Sequence, residues 1–146
     1  MSNSDQIIDI ENQICFSLYS ASNAVLRAYR PLLDELDLTY LQYMTMIVLW
    51  KHAPLNVKEI GKKMHLDSGT LTPLLKRLEQ KELISRNRSS KDERVMEISL
   101  TEKGESLKDD AVSVPEKLSC KINIAREEAL ELKRISDSLL KNLVID

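Results

Sequence analysis

Residues 57–104 read VKEIGKKMHLDSGTLTPLLKRLEQKELISRNRSSKDERVMEISLTEKG, and the pattern of this stretch decides the fold. Asn56 is placed to cap a first short helix, and the chain breaks after it near residues 65–67. Asp67 or Ser68 then supplies a side-chain oxygen for the free amides of a second helix. That helix has an apolar stripe at helical spacing, formed by Leu71, Leu74, Leu75 and Leu78.

Two short strand-like runs follow the second helix, at residues 83–88 and 95–100. In the second run every other residue is apolar, which places those side chains on one face of a strand. Polar residues 89–94 lie between the runs and form the tip of a hairpin. Thr101 opens another helix. The order helix, turn, helix, hairpin predicts a mainly α fold with a small β-hairpin wing, a winged helix-turn-helix.

The outer face of the second helix carries hydroxyl and cationic groups, which suit base edges and phosphates in the major groove. Arg94 at the hairpin tip suits the minor groove. A mixed-charge helix face is also typical of an ordinary solvated surface. Local charge favours DNA, because residues 58–94 hold ten Lys or Arg against six Asp or Glu in a chain of net charge −2. The candidates on the helix are Ser68, Thr70, Thr72, Lys76 and Arg77.

Composition indicates one mainly helical domain, or one domain with dimerisation arms, because 42% of the residues are hydrophobic and only three are glycine. No run approaches the length of a membrane span, and the acidic N-terminal sequence does not resemble a signal peptide. We therefore expect a cytoplasmic protein, in which two cysteines are thiols rather than a structural disulfide. The histidines and cysteines form no ligand-spaced cluster, so we expect neither a metal nor a cofactor.

Residues 7–30 carry an apolar stripe every three or four positions, which predicts a long amphipathic helix that Pro31 ends or kinks. A helix of about 35 Å exceeds what so small a domain can cover, so part of the stripe packs on a second subunit. Two more helical segments, 101–123 with a kink at Pro115 and 126–143, follow the wing.

These features divide the chain into a dimerisation region, residues 1–36 and 101–146, and a winged helix-turn-helix domain, residues 37–100. Within that domain, Thr39 caps a central helix that is apolar nearly all round. An interleaved homodimer would present two recognition helices to successive major grooves of a pseudo-palindromic double-stranded operator.

Cys15 lies among the aromatic residues of the first fifty positions, with Tyr19 one helical turn away. Tyr29 is about 21 Å along the same helix and cannot reach Cys15 within one chain. In an antiparallel pair of first helices, Tyr29 approaches the partner subunit's Cys15, and donated phenol hydrogen bonds favour the thiolate. The alternative for Cys15 and for Cys120 is that each is a small hydrophobic residue that only packs.

Four stretches carry a resemblance to a known family: ENQICFSLYSAS at 11–22, AYRPLLDELDLTYLQY at 28–43, LDSGTLTPLLKRLE at 66–79 and RSSKDERVMEISLTEKG at 88–104. They resemble the MarR-type winged-helix regulators, in particular the organic hydroperoxide resistance repressors called OhrR. The resemblance implies a homodimeric repressor with reactive Cys15, hydrogen-bonded by Tyr29 and Tyr40 with Tyr19 close by. It also implies that a hydroperoxide oxidises Cys15 to a sulfenic acid, which condenses with Cys120 of the partner subunit.

The same resemblance implies that residues 67–77, including Asp67 and Pro73, form the recognition segment. Asp92 and Arg94 are then wing residues, with Asp92 orienting a wing or strand arginine for which Arg86 is a candidate.

Two alternatives remain open. A thiol peroxidase would use Cys15 catalytically, but a winged helix with a basic surface has no use in such an enzyme, so we expect a regulator and not an enzyme. A MarR-type regulator that responds to a phenolic or quinone ligand, or to hypochlorite, would use the aromatic residues near the dimer seam as a pocket.

Overall fold

A computed structural model of the chain describes residues 3–144 and is mainly helical. The helices and strands, in chain order, are α1 (Asn3–Ile7), a short 3-10 helix (Ile10–Asn12), α2 (Ile14–Asp34), α3 (Tyr40–His52), β1 (Leu55–Asn56), α4 (Val57–Met64), α5 (Ser68–Gln80), β2 (Ile84–Arg88), β3 (Met96–Leu100), α6 (Glu102–Ala111), α7 (Val114–Ile122) and α8 (Arg126–Leu143).

Helices α4 and α5 and the hairpin β2–β3 form the predicted winged helix-turn-helix. β3 lies between β1 and β2 in an antiparallel sheet, in which Ile98 is opposite both Leu55 and Arg86. β1 was not predicted, because a strand of two residues is too short to show a period-two pattern. It forms because the chain passes beside β3 on its way from α3 to α4.

The predicted helix starts are confirmed by side-chain caps. The side chain of Asn56 accepts a bond from the Glu59 amide at 2.8 Å, and the Glu59 carboxylate accepts one from the Asn56 amide at 2.8 Å. Thr39 and Gln42 form the same reciprocal pair at the start of α3. These caps satisfy amides that a helix leaves free in its first turn, so the short sequence signals fix where the helices begin.

The core lies around α3, as its apolar sequence predicted. Met46 and Leu49 are at most 1% exposed, and they belong to one buried cluster with the apolar face of α5 and with Ile98. The indole Nε1 of Trp50 donates to the carbonyl of Gly104 at 2.8 Å. A Cβ at position 104 would lie 2.0 Å from the Leu83 carbonyl oxygen, so only glycine lets α6 approach the wing this closely.

The predicted continuous helix over residues 7–30 is wrong at its N-terminal end. α1 ends at Ile7, and α2 begins only at Ile14. Between them, Asp9 accepts a bond from the Glu11 amide at 3.1 Å, and the Gln13 side chain donates to the Ile7 carbonyl at 2.7 Å. Such local side-chain bonds compete with helical ones and end the helix.

Pro31 does not end α2, which continues to Asp34 because burial of Leu32 and Leu33 in the core outweighs the missing amide donor. The predicted alternative, a kink at Pro31, stays a prediction. The prediction of a kink at Pro115 is wrong. The segment 101–123 is two helices rather than one kinked helix. Pro115 lies in the first turn of α7, where a missing donor costs little.

The helical arms, which we define as α1, the N-terminal half of α2 and α8, leave their apolar residues uncovered within one chain. α8 contains no buried residue, and Leu132 and Ile135 on its apolar stripe are 54% and 51% exposed. Ile14 at the start of α2 is 75% exposed. Across residues 3–144, no helix is long and apolar enough to cross a membrane.

Candidate DNA-binding surface and cysteine site

Helix α5 presents the predicted DNA-binding face to the outside. Burial of its leucine stripe against the core fixes the rotation of the helix. Asp67 caps it, accepting a bond from the Thr70 amide at 2.7 Å. Hydrogen bonds from Thr70 and then from the Gly69 amide hold the pKa of Asp67 below its usual value. The exposed side chains are those of Ser68, Thr70, Thr72, Pro73, Lys76 and Arg77.

The two cations of this face are available for phosphates. Within residues 3–144, neither Lys76 nor Arg77 has a hydrogen-bonded or ionic partner for its side chain. The Thr72 hydroxyl donates to the Ser68 carbonyl at 2.7 Å, which leaves its lone pairs facing outward. The predicted face is therefore geometrically able to contact DNA.

The tip of the wing is shaped by its own hydrogen bonds. Ser89 is buried, its amide donates to the Val95 carbonyl at 2.8 Å, and its hydroxyl donates to the Glu97 carboxylate at 3.1 Å. The Arg88 guanidinium donates to the Glu93 carbonyl at 2.7 Å. The shape of the tip is therefore defined by hydrogen bonds within the hairpin.

Asp92 orients Arg94 and not Arg86. The Asp92 carboxylate lies 3.2 Å from Nε of Arg94 and 3.4 Å from its Nη2. Hydrogen bonds from the side chain and amide of Arg94 lower the pKa of Asp92. Arg86 instead donates from Nε to Glu79 at 2.8 Å, at the end of α5. The candidate pairing of Asp92 with Arg86 is thus corrected, because the turn at the tip brings residues 92 and 94 together.

Cys15 lies in the first turn of α2 and Cys120 near the end of α7, and both are exposed free thiols. Tyr19, one turn after Cys15, is 65% exposed. Lys117 lies 3.8 Å from Glu35, which places α7 beside the C-terminal end of α2. Cys15 is about 28 Å before that end. One chain alone does not bring the two cysteines together.

Tyr29 and Tyr40 lie together, as the resemblance implied, with ring centroids 5.1 Å apart. The ring of Tyr43 also packs against Tyr29, with centroids 6.1 Å apart. Burial, with smaller contributions from Tyr40 and Tyr43, raises the pKa of Tyr29 to about 12. Its phenol is therefore protonated and able to donate a hydrogen bond at any physiological pH. Cys15 of the same chain is about 21 Å away along α2 and receives no such bond.

Lys81, at the end of α5, is a connecting residue that the sequence pattern did not indicate. Its ammonium donates to the Asp37 carbonyl and to the Gln42 side-chain oxygen at 3.2 Å, and lies 3.4 Å from the Asp37 carboxylate. These bonds tie the recognition helix to the turn between α2 and α3, next to Tyr40. A lone lysine in a charged segment gives no sequence signal for such a contact.

A cavity of about 770 Å³ lies between α2, α3, α5 and α8. Its walls are mostly apolar and include Leu18, Val25 and Leu132, while Tyr40 and Arg77 contribute polar groups. The cavity is therefore bounded by Tyr40 of α3 and by Thr70, Pro73 and Arg77 of α5. Among residues 3–144 there is no group of His, Cys, Asp or Glu able to hold a metal ion.

Residues 27–111 match the family model for the transcriptional regulators SarA/Rot. The chain belongs to this family. It is 45% identical over 139 residues to the organic hydroperoxide resistance transcriptional regulator of Bacillus subtilis (strain 168), covering 95% of this chain and 92% of that one.

Two solved structures are similar to this chain over nearly its whole length. Reduced AbfR bound to DNA is 32% identical with a TM-score of 0.79, covering 99% of this chain and 100% of AbfR. Disulfide-formed AbfR is 33% identical with a TM-score of 0.64, covering 96% and 93%. The chain is thus a DNA-binding transcriptional regulator with a MarR-type winged helix, and not an enzyme. It is related to the regulators of organic hydroperoxide resistance. The predicted fold class is confirmed.

Proposed function

We propose that this regulator is a homodimeric repressor that releases its operator when an organic hydroperoxide oxidises Cys15. The observation that carries the proposal is the position of Cys15. It is an exposed thiol on a helical arm whose apolar residues have no cover within the chain. A chemical change there acts directly on the surface that a second subunit covers.

The dimer follows from the exposed arms. Residues 1–36 and 101–146 form the dimerisation region, and residues 37–100 form the DNA-binding domain that it positions. The exposed stripe of α8 and the start of α2 provide the apolar area that subunit association buries. Two recognition helices related by a twofold axis match a pseudo-palindromic double-stranded operator, and binding to chromosomal DNA places the protein in the cytoplasm.

The sensing site is completed between subunits. Tyr29 and Tyr40 of one protomer donate hydrogen bonds to the partner subunit's Cys15, with Tyr19 beside it, and these bonds favour the thiolate. The structure supports this assignment in that the two tyrosine rings already lie together, with centroids 5.1 Å apart. The distance along α2 requires that the cysteine come from the other chain.

The chemistry proceeds in two balanced steps. The thiolate attacks one oxygen of the hydroperoxide, so an S–O bond forms while the O–O bond breaks, and the departing alkoxide takes up a proton and leaves as an alcohol. The product is a sulfenic acid. The thiol of Cys120 from the partner then attacks this sulfur, which gives a disulfide and releases water.

In this proposal, the effect of Cys15 oxidation is transmitted to the DNA-binding helix α5 through the turn between α2 and α3. Loss of the thiolate breaks its bonds to Tyr29 and Tyr40, and Lys81 ties this turn to the end of α5. Release of a mostly bound repressor takes a few kcal/mol, which several lost interface hydrogen bonds with repacking can supply.

Fluorescence anisotropy on a duplex from upstream of the protein's own coding region tests the proposal. We expect tight binding by the reduced protein, loss after one equivalent of an organic hydroperoxide, and recovery with dithiothreitol. Cys15→Ser should bind DNA like the wild type and keep binding after oxidation. If the serine variant is still released by the oxidant, Cys15 is not the sensor.

Cys120→Ser tests the second step on a non-reducing gel. The variant should react with hydroperoxide at Cys15 and yet give no covalent dimer, whereas the wild type gives one. A covalent dimer that persists in this variant would exclude Cys120 as the resolving residue.

A second candidate function is supported by the cavity of about 770 Å³, whose walls combine apolar side chains with Tyr40 and Arg77. A phenolic ligand bound there would act without Cys15. Release of DNA by such a ligand from the Cys15→Ser protein, without oxidant, would favour this function over redox sensing.

A further inference from the structure

A second cationic surface lies beside the start of the recognition helix. Lys58, Lys62 and His65 line one cleft of about 860 Å³ together with Ser68, the first residue of α5, and with Val144 at the end of α8. All three potential cations belong to α4 or to the turn that follows it. The cleft therefore joins the first helix of the helix-turn-helix to the N-terminal end of the second.

The two lysines are one helical turn apart, so both side chains project from the same side of α4. Each is exposed, and neither has an ionic partner within residues 3–144. Glu59, the acidic residue between them, is engaged in the cap of α4 through the Asn56 amide. Neither lysine is therefore paired with Glu59, and both ammonium groups are free to bind an anion.

α4 carries a further lysine that serves as a comparison. Lys63 does not line the cleft, and with Lys51 it lies close to His52 at the end of α3, where burial and then these two lysines lower the pKa of His52. Lys51 on α3 and Lys63 on α4 carry the same charge and are also exposed, but neither lines the cleft.

We propose that Lys58 and Lys62 bind phosphates of the DNA strand bordering the major groove that α5 enters. In a helix-turn-helix, the first helix crosses the backbone while the second lies in the groove. A cation on the side of α4 that adjoins the N-terminal end of α5 then faces that backbone. Such contacts position the protein on the duplex but do not read its sequence.

Salt dependence of DNA binding by the fully reduced protein tests this inference independently of any redox response. Each phosphate contact contributes about 0.9 to the slope of log affinity against log salt. We expect Lys58→Gln and Lys62→Gln each to lower the slope by about 1.8 for a dimer on two half-sites. The loss should be equal on the upstream duplex and on a scrambled duplex of the same length.

The matched control is the pair Lys51→Gln and Lys63→Gln, which removes the same charge from the other side and should leave the slope unchanged. Lys58→Arg and Lys62→Arg should restore the wild-type slope, because arginine also binds phosphate. Equal losses from both pairs would mean that only overall charge matters and would overturn the inference. An unchanged slope in the Lys58 and Lys62 variants would also overturn it, leaving the cleft to an acidic protein partner.

Discussion

The winged-helix domain and the helical arms differ in how far one chain buries their apolar side chains. In the domain, Leu71, Leu75 and Ile98 are at most 1% exposed, all covered by the same chain. In the arms, Leu132 and Ile14 remain more than half exposed, and α8 has no buried residue. The domain is stabilised by contacts that one chain provides, whereas in the proposed dimer a second copy covers the arms.

The same division separates the two functions. The DNA-binding face is fixed by the core of one chain, because burial of the α5 leucines sets the rotation of the helix. Cys15 lies instead on an exposed arm. In the proposed mechanism the recognition surface stays folded while the relation between the two copies changes.

The largest expected effect comes from the domain core. Leu75→Ala removes a side chain that is 1% exposed and should lower the free energy of unfolding by about 2–5 kcal/mol. The loss, measured by chemical denaturation, should be the same at low and high protein concentration. Ile47→Ala on the outer side of α3, where Ile47 is 39% exposed, is the control and should cost much less. Equal losses would contradict a self-contained core.

A smaller effect is expected from the arm. Leu132→Asp places a charge on the apolar stripe of α8 and should shift the protein from dimer to monomer in sedimentation. The affinity for an operator duplex should fall roughly 10- to 100-fold, or about 1.4 to 2.8 kcal/mol. Lys141→Asp puts the same carboxylate on the opposite side of α8 and should leave the dimer intact. A dimer that survives Leu132→Asp would place the interface elsewhere.

The smallest effect is expected at Tyr29, where α2 packs on α3, and it concerns how the free energy of unfolding depends on pH. Its pKa is about 12 in the folded chain against 10.0 when unperturbed. The folded state therefore holds this proton more tightly, and the resulting stability is complete below pH 10 and lost as the pH rises through about 12. Tyr43 is present in both proteins, so its raised pKa cancels in a comparison with Tyr29→Phe.

Chemical denaturation between pH 10 and 12 measures this difference. The stability of the wild type should fall more steeply with pH than that of Tyr29→Phe. If the free energy of unfolding falls equally with pH in the two proteins, Tyr29 is not buried against α3.

Local signals in the sequence predicted the domain well. The caps at Thr39, Asn56 and Asp67 and the leucine stripe of α5 depend on residues only a few positions apart, so their spacing is visible in the chain. Prediction failed where competing local bonds or tertiary burial decided the outcome. The break before Ile14 and the division of residues 101–123 into α6 and α7 are the two clearest cases.

Some features of the candidate site could likewise be predicted from the sequence, and others could not. The exposed helix face and Arg94 could be predicted, since amphipathic spacing and hairpin length place them. The partners of Arg86 and Lys81, which are Glu79, Asp37 and Gln42, could not be predicted, because side chains from separate elements meet only after packing.

The sequence by itself determined a winged helix, its capped helices and a cysteine among aromatic residues, because periodicity and capping act over a few residues. Only the tertiary structure decided that Tyr29 packs against both Tyr40 and Tyr43, that Asp92 holds Arg94, and that the apolar residues of the arms stay exposed within one chain. The physical reason is that burial and side-chain pairing depend on which surfaces meet, and this is set by the packing of the whole chain.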